Sequence, residues 1–132
     1  MYADVPAYRG ATRFSSHFLD RVPAFDGDAE VKCAQHLDSL KGVKWWVRNV
    51  ARHPASFWLQ TSKDRTYPDF VALLDDGRTL VVEYKGQHLW ADAAEDRAIG
   101  AVWERAGGGL YVMVGEKVDG LDLLGQLRRK LG

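Results

Sequence analysis

The stretch YPDFVALLDDGRTLVVEYKG, residues 67–86, decides the fold of this chain. Runs of β-branched and apolar residues flank the segment DDGR, which predicts two antiparallel strands joined by a tight turn. Three charged residues interrupt the pattern: Asp69 begins the first strand, and Glu83 and Lys85 end the second. Charged side chains are rarely buried without partners, so a role is needed for all three.

The length of the turn decides whether these charges meet. With a two-residue loop, Glu83 would face away from Asp69. With a three-residue loop, residues 75–77, Asp69 lies opposite Glu83, and Lys85 follows on the same face. That loop requires a glycine at its third position, and Gly77 occupies it. We therefore predict the three-residue loop and the register in which the three charges meet.

A pair of facing carboxylates predicts a metal site. Two such groups repel each other and are costly to bury without a cation. Oxygen ligands favour Mg²⁺ or Mn²⁺ over zinc. A lysine two residues beyond one ligand reaches a metal-bound water or the phosphate that this water attacks. For each charge taken singly, a position on a surface strand is the usual explanation, whereas Asp69, Glu83 and Lys85 together predict hydrolysis of a phosphodiester.

The pattern around the hairpin predicts an α/β fold, with a mixed central β-sheet flanked by helices. Apolar residues at helical spacing, β-branched runs and glycine stops predict the order helix, strand, strand, strand, helix, strand, helix. The predicted segments are a helix in 28–42, strands at 43–50, 67–74 and 79–85, a helix in 91–109, a strand at 110–115 and a helix in 120–132. The buried face of the second helix is predicted at Ala98, Ile99, Val102, Trp103 and Ala106.

Composition indicates a single globular domain without a membrane segment. The 132 residues are 46% hydrophobic and include five tryptophans, which is enough for one domain with a core. Residues 27–132 are expected to form it, and 1–26 to be an extension that wraps it or leads in from a neighbour. A net charge of zero argues against a large basic surface for nucleic acid. A lone cysteine, no signal peptide and no apolar span predict a cytoplasmic protein without a membrane segment.

The hairpin resembles a known family. Pro68-Asp69, thirteen residues, then Glu83-Tyr84-Lys85 resembles the PD-(D/E)xK nuclease signature. The predicted order αβββαβ is that of the restriction-endonuclease-like core, and the resemblance covers roughly residues 27–115. It implies that Asp69 and Glu83 bind Mg²⁺ (or Mn²⁺) together with the backbone carbonyl of Tyr84, and that Lys85 positions or activates the attacking water.

A longer stretch resembles one branch of that family. Residues 44–89, with their tryptophan-rich strand, the segment FWLQTS and the run EYKG, resemble the C-terminal endonuclease domain of type III restriction subunits. The resemblance implies DNA as substrate, a helicase or translocase module and a methyltransferase subunit as partners, and a homodimer for cutting both strands. No GxxxxGK[ST] occurs here. A repair, recombination or transposition nuclease of the same fold, and a catalytically inert DNA-binding or scaffolding module, stay as alternatives.

Five further residues have two interpretations each. The family's acidic residue on the first helix corresponds to Glu30, although a glutamate at a helix start is also favoured by the helix dipole. Gln87 is placed to assist catalysis or simply to be solvated at a strand end. Lys63, Arg65 and Arg48 are candidates for contacts to DNA phosphates, and a charged loop in water is the alternative.

Overall fold

A four-stranded mixed sheet with helices on both faces forms the centre of the molecule. The computed structural model describes residues 4–132. Its helices are α1 (Asp28–Ser39), α2 (Ala94–Arg105) and α3 (Leu123–Leu131), and two 3-10 turns span Gln87–Leu89 and Ala91–Ala93. Its strands are β1 (Val43–Arg48), β2 (Leu59–Gln60), β3 (Arg65–Thr66), β4 (Phe70–Leu74), β5 (Thr79–Tyr84), β6 (Leu110–Val114), β7 (Lys117–Val118) and β8 (Leu121–Asp122). The predicted α/β class is confirmed.

The strands of the main sheet follow the order β1-β4-β5-β6. The pairs β1–β4 and β4–β5 are antiparallel, whereas β6 runs parallel to β5. A parallel neighbour requires a long crossover, and α2 with the two 3-10 turns provides it. The carboxyl ends of β5 and β6 therefore lie at the same edge of the sheet. Two separate two-stranded ribbons, β2–β3 and β7–β8, complete the fold.

The turn between β4 and β5 has the predicted three-residue form. The amide of Leu74 donates to the carbonyl of Arg78 at 2.9 Å, which closes the loop around residues 75–77. Gly77 has a φ of +89°, in the left-handed region that glycine enters at least cost. Phe70 pairs with Val82, so the register is the one that places residue 69 opposite residue 83.

Two apolar layers cover the sheet. On one face α1 and α3 pack on the side chains of Trp46, Phe70 and Leu80, among others. On the other face α2 covers a smaller cluster that includes Val81 and Tyr111. Neighbouring residues of β5 belong to different layers because side chains alternate along a strand. This alternation places residue 83 on the α2 side.

The predicted buried face of α2 is correct only in part. Ile99 and Trp103 pack against the smaller cluster as predicted, whereas Ala98, Val102 and Ala106 are exposed. Val102, predicted to be buried, is 52% exposed, whereas Gly100 is buried against the ring of Tyr111. A Cβ atom at Gly100 would lie 2.2 Å from that ring, so the close approach of helix and strand depends on the missing side chain. A hydrophobicity pattern gives a glycine no weight, and for this reason the prediction left out Gly100 and included Val102.

The segment before α1 packs on the same core as the rest of the chain. Phe14 and Phe25 lie against the large buried cluster, and the Phe14 and Trp46 rings are 5.3 Å apart. Ser16 and Phe18 exchange backbone hydrogen bonds with Trp46, so this segment borders the outer strand β1. It covers an edge that would otherwise expose unpaired backbone groups.

Within residues 4–132, no helix is both long enough and apolar enough to cross a membrane.

Candidate active site

Asp69 and Glu83 face each other where β4 begins and β5 ends. The Oδ2 atom of Asp69 accepts a hydrogen bond of 2.7 Å from the amide of Tyr84. Because β4 starts only at Phe70, no strand residue is there to accept a hydrogen bond from the amide of Tyr84. The carboxylate of Asp69 accepts it instead. The Nζ atom of Lys85 lies 3.7 Å from Oε1 of Glu83. The three charges predicted from the hairpin are thus brought together.

Glu83 is the most enclosed of these charges. Only 4% of it is exposed, and its Oε2 accepts a hydrogen bond of 2.8 Å from the hydroxyl of Tyr111. Tyr111 lies on β6 opposite Val81, and Val81 shares a face with Glu83. This tyrosine was missed by the sequence analysis because the pairing of β5 with β6 cannot be read from residues this far apart. The only signal was a polar hydroxyl inside an otherwise apolar strand.

Burial raises the pKa of each of the three carboxyl groups in this site. Desolvation is the main cause that raises the pKa of Asp69 to about 6, against the pull of the Tyr84 amide and Arg48. Desolvation, followed by the negative charge of Asp69, raises the pKa of Glu30 to about 7. Desolvation also raises the pKa of Glu83, while the Tyr111 hydroxyl and Lys85 oppose the rise. A cation at this point would relieve the cost in all three cases.

Arg48 lies inside the site and not on the surface. It is 5% exposed, and its Nη2 lies 3.2 Å from Oε1 of Glu30 and 3.5 Å from Oδ2 of Asp26. Its Nη1 donates to the backbone carbonyls of Asn49 and Asp69. Trp46 and Arg48 are two apart on β1, so both point toward α1. This placement differs from the surface position expected of a contact to DNA phosphates.

The other candidate residues lie on the surface. Lys63, Arg65 and Gln87 are all exposed. The guanidinium of Arg65 stacks on the Trp58 ring, 3.9 Å from its centroid, so this cation is partly held in place. Gln87 begins the 3-10 turn directly after Gly86, two residues beyond Lys85. The structure therefore leaves these three side chains accessible to a ligand.

The metal ligands predicted here form a pair and not a closed group. Among residues 4–132, no three His, Cys, Asp or Glu side chains are arranged closely enough to hold a metal ion as they stand. The amide N–H of Tyr84 points to Asp69. In a β-strand, the N–H and C=O groups of one residue point toward the same neighbouring strand. The predicted carbonyl ligand of Tyr84 is thus directed at the Asp69 side, while Glu30 is held by Arg48.

Two clefts reach the site from different directions. One, of about 220 Å³, ends at Asp69, Arg48 and Tyr67 and is walled by the N-terminal segment. The other, of about 420 Å³, runs past Lys85 and Gln87 at the edge where β5 and β6 end. A cavity of about 590 Å³ lies at the far end of the hairpin, beside the turn, and none of the candidate site residues lines it.

The chain matches no protein-family model, no curated protein and no solved structure.

Proposed function

We propose that this chain is a Mg²⁺-dependent DNA endonuclease domain. The proposal is carried by the β4–β5 register, in which Phe70 pairs with Val82 so that Asp69 lies beside Glu83, together with the Nζ atom of Lys85 at 3.7 Å from Glu83. Two carboxylates and an ammonium group at one strand edge are the groups that hydrolysis of a phosphodiester requires. Their burial supports a site and argues against three solvated surface charges.

The architecture supports the same proposal. Without the small ribbons, α1, β1, β4, β5, α2 and β6 follow one another in the order αβββαβ of the restriction-endonuclease-like core. The charged cluster lies at the start of β4 and the end of β5, which is where the proposed PD-(D/E)xK signature would be expected. We therefore extend the proposal to that fold, with Pro68-Asp69 and Glu83-Tyr84-Lys85 as the signature residues.

The residues present fit a hard divalent cation. Asp69 and Glu83 supply carboxylate oxygens whose pKa values are raised mainly by desolvation, a cost that a bound cation would offset. Together with the carbonyl of Tyr84 they form an all-oxygen set, which suits Mg²⁺ or Mn²⁺. When bound there, the ion would lower the pKa of a coordinated water and stabilise charge on the phosphate.

The chain's own groups perform distinct tasks in this proposal. The hydroxyl of Tyr111 fixes the orientation of Glu83, and the amide of Tyr84 fixes that of Asp69. The side chain of Lys85 is 29% exposed, so its ammonium group can contact both Glu83 and an incoming phosphate. It orients the attacking water and neutralises the charge that develops. Gln87 stands at the mouth of the same cleft and is proposed to assist.

Partners are proposed to bring the DNA. The chain has no net charge, and its candidate phosphate contacts, Lys63 and Arg65, are few. Tight binding to duplex DNA at physiological salt needs many such contacts. We therefore propose a helicase or translocase module and a methyltransferase subunit as partners, as in type III restriction systems. A homodimer would place one site on each strand.

Cleavage of supercoiled plasmid tests the function. The wild type, Lys85→Ala and the matched control Arg78→Ala are incubated with Mg²⁺, Mn²⁺ or EDTA. Metal-dependent nicking or linearisation should occur with the wild type and the control and be lost with Lys85→Ala. Cleavage that persists with Lys85→Ala at the wild-type rate would contradict the proposed centre.

A catalytically inert binding module is the second candidate. The carboxylate of Glu30 is already engaged in an ion pair with Arg48, which favours this candidate. Among residues 4–132, no three potential metal ligands are grouped closely enough to hold an ion, which also favours it. Thermal melting separates the two candidates. If Mg²⁺ raises the melting temperature and Asp69→Ala removes this effect, the metal site is competent. An identical melting temperature with and without Mg²⁺ indicates the inert module.

A further inference from the structure

Arg48 is a buried cation within the acidic cluster. Its guanidinium contacts the carboxylate of Glu30 and the backbone carbonyls of Asn49 and Asp69. The positive charge of Arg48 opposes the rise in pKa of both Glu30 and Asp69. It therefore acts on the same carboxylates that a metal ion would neutralise.

Hydrogen bonds to two backbone carbonyls hold the guanidinium of Arg48 in place, but not every N–H group of Arg48 has an acceptor. Its planar guanidinium group carries five N–H donors in a fixed geometry. Within residues 4–132, its buried Nε atom has no hydrogen-bond partner, and neither has Oε1 of Glu30. The contact between Arg48 and Glu30 is thus an attraction of opposite charges without hydrogen-bond geometry. If Arg48 were neutral, the Glu30 carboxylate would be a buried anion without a counter-charge.

The balance of charge limits how many ions fit. With Glu30, Asp69 and Glu83 ionised, the enclosed anions of the cluster number three, and Arg48 and Lys85 are its cations. Asp26 also approaches Arg48, but its side chain is 83% exposed and is neutralised by solvent rather than by a bound ion. One negative charge is left over. A single divalent ion and one phosphodiester bring the cluster to neutrality, whereas two divalent ions would leave a buried excess of positive charge, which is costly.

We propose that the site holds one divalent ion per chain, between Asp69 and Glu83, because Arg48 supplies the cation at Glu30 where a second ion would bind. This inference rests on the proposed function. It assigns Arg48 as a positioning residue that sets the metal stoichiometry, and it makes Glu30 the partner of Arg48 and not a ligand of the ion. The reaction then uses one metal ion and Lys85 to stabilise the phosphate.

Titration with Mn²⁺ tests the stoichiometry without any measurement of cleavage. Calorimetry counts the ions, and electron paramagnetic resonance reports whether two ions are magnetically coupled, as they are at about 3.5–4 Å. The wild type should bind one ion and give an uncoupled signal. Arg48→Met, which keeps the length of the side chain without the charge, should bind two coupled ions. The double variant Arg48→Met/Glu30→Gln should return to one.

Each outcome decides the inference. Two coupled ions in the wild type would overturn it and leave the proposed function standing, as would one ion in a folded Arg48→Met variant. No binding of Mn²⁺ by the wild type would overturn the proposed function itself. If Arg48→Met does not fold, Glu30→Gln decides, because it keeps one ion only if Glu30 is not a ligand.

Discussion

The hairpin repeats one sequence pattern at its two ends, with opposite results. An acidic residue is followed two positions later by a basic one in Asp76-Arg78 at the turn and in Glu83-Lys85 at the site. At the turn the ion pair is short, 2.8 Å, and both side chains are about half exposed. At the site the closest approach is 3.7 Å, and only 5% of the Glu83 side chain is exposed.

The shorter ion pair is the less consequential one. Hydrogen bonds from the backbone and side chain of Arg78 lower the pKa of Asp76, which water also solvates. An exposed pair contributes little because water screens it. At the other end, burial raises the pKa of Glu83 although Lys85 opposes the rise. The comparison teaches that exposure, and not the distance between the charges, decides which pair can do chemistry.

The largest effect is expected on metal affinity. Glu83→Gln removes the charge of a proposed metal ligand from a buried site and should weaken Mn²⁺ binding at least about 100-fold, as measured by calorimetry. The matched control Asp76→Asn makes the same change at the exposed end and should alter affinity less than twofold. Equal effects of the two variants would remove the distinction between the ends.

The next effect concerns the stability of the metal-free protein at different pH values. Folding raises the pKa of Asp69 from 3.8 to about 6, so the folded state binds more protons than the unfolded state between these values. The free energy of unfolding therefore falls as pH rises from about 4 to above 6. This shift corresponds to on the order of 3 kcal/mol.

Urea unfolding in EDTA at pH 5.0 and 7.5 measures this dependence. Asp69→Asn, which cannot ionise, should lose that part of the pH dependence, and Mg²⁺ should suppress it in the wild type. Asp76→Asn should keep it, because the pKa of Asp76 is lowered and not raised. The prediction fails if the pH dependence of Asp69→Asn equals that of the wild type.

The hydroxyl of Tyr111 should have a smaller effect. Tyr111→Phe removes the hydrogen bond to Glu83 and keeps the ring on which Gly100 packs. A hydrogen bond to a charged group is worth about 1.5–3 kcal/mol, and part of that loss should appear as weaker Mn²⁺ binding, several-fold in the dissociation constant. Tyr67→Phe, in the lining of the smaller cleft, is the control and should leave metal affinity unchanged. A fall in stability without any change in affinity would show that Tyr111 only supports the core.

The turn should give the smallest effect. Gly77→Ala places a Cβ atom at a φ of +89°, which costs about 1 kcal/mol, although the position has open space around it. Thermal unfolding should show this modest loss, while Mn²⁺ affinity stays the same because the register is retained. A large fall in affinity would mean that the loop had changed length and the strands had slipped.

Much of the architecture was predicted because local patterns decide it. Gly77 predicted the three-residue turn, and the turn set the register that joins Asp69 to Glu83. The element order followed from periodicity. On α2, Ile99 and Trp103 were predicted correctly, but the burial of Gly100 could not be predicted, since it depends on a contact with a ring on another strand.

The sequence by itself determined the hairpin, its register and the charged residues at its open end, because turn chemistry and strand alternation act over a few residues. Only the tertiary structure decided the surroundings of those charges. It placed Tyr111 on Glu83 through the parallel pairing of β5 and β6, and it turned Arg48 inward onto Glu30. Burial, and with it the raised pKa of each carboxyl, arises from packing between distant segments, which no local pattern contains.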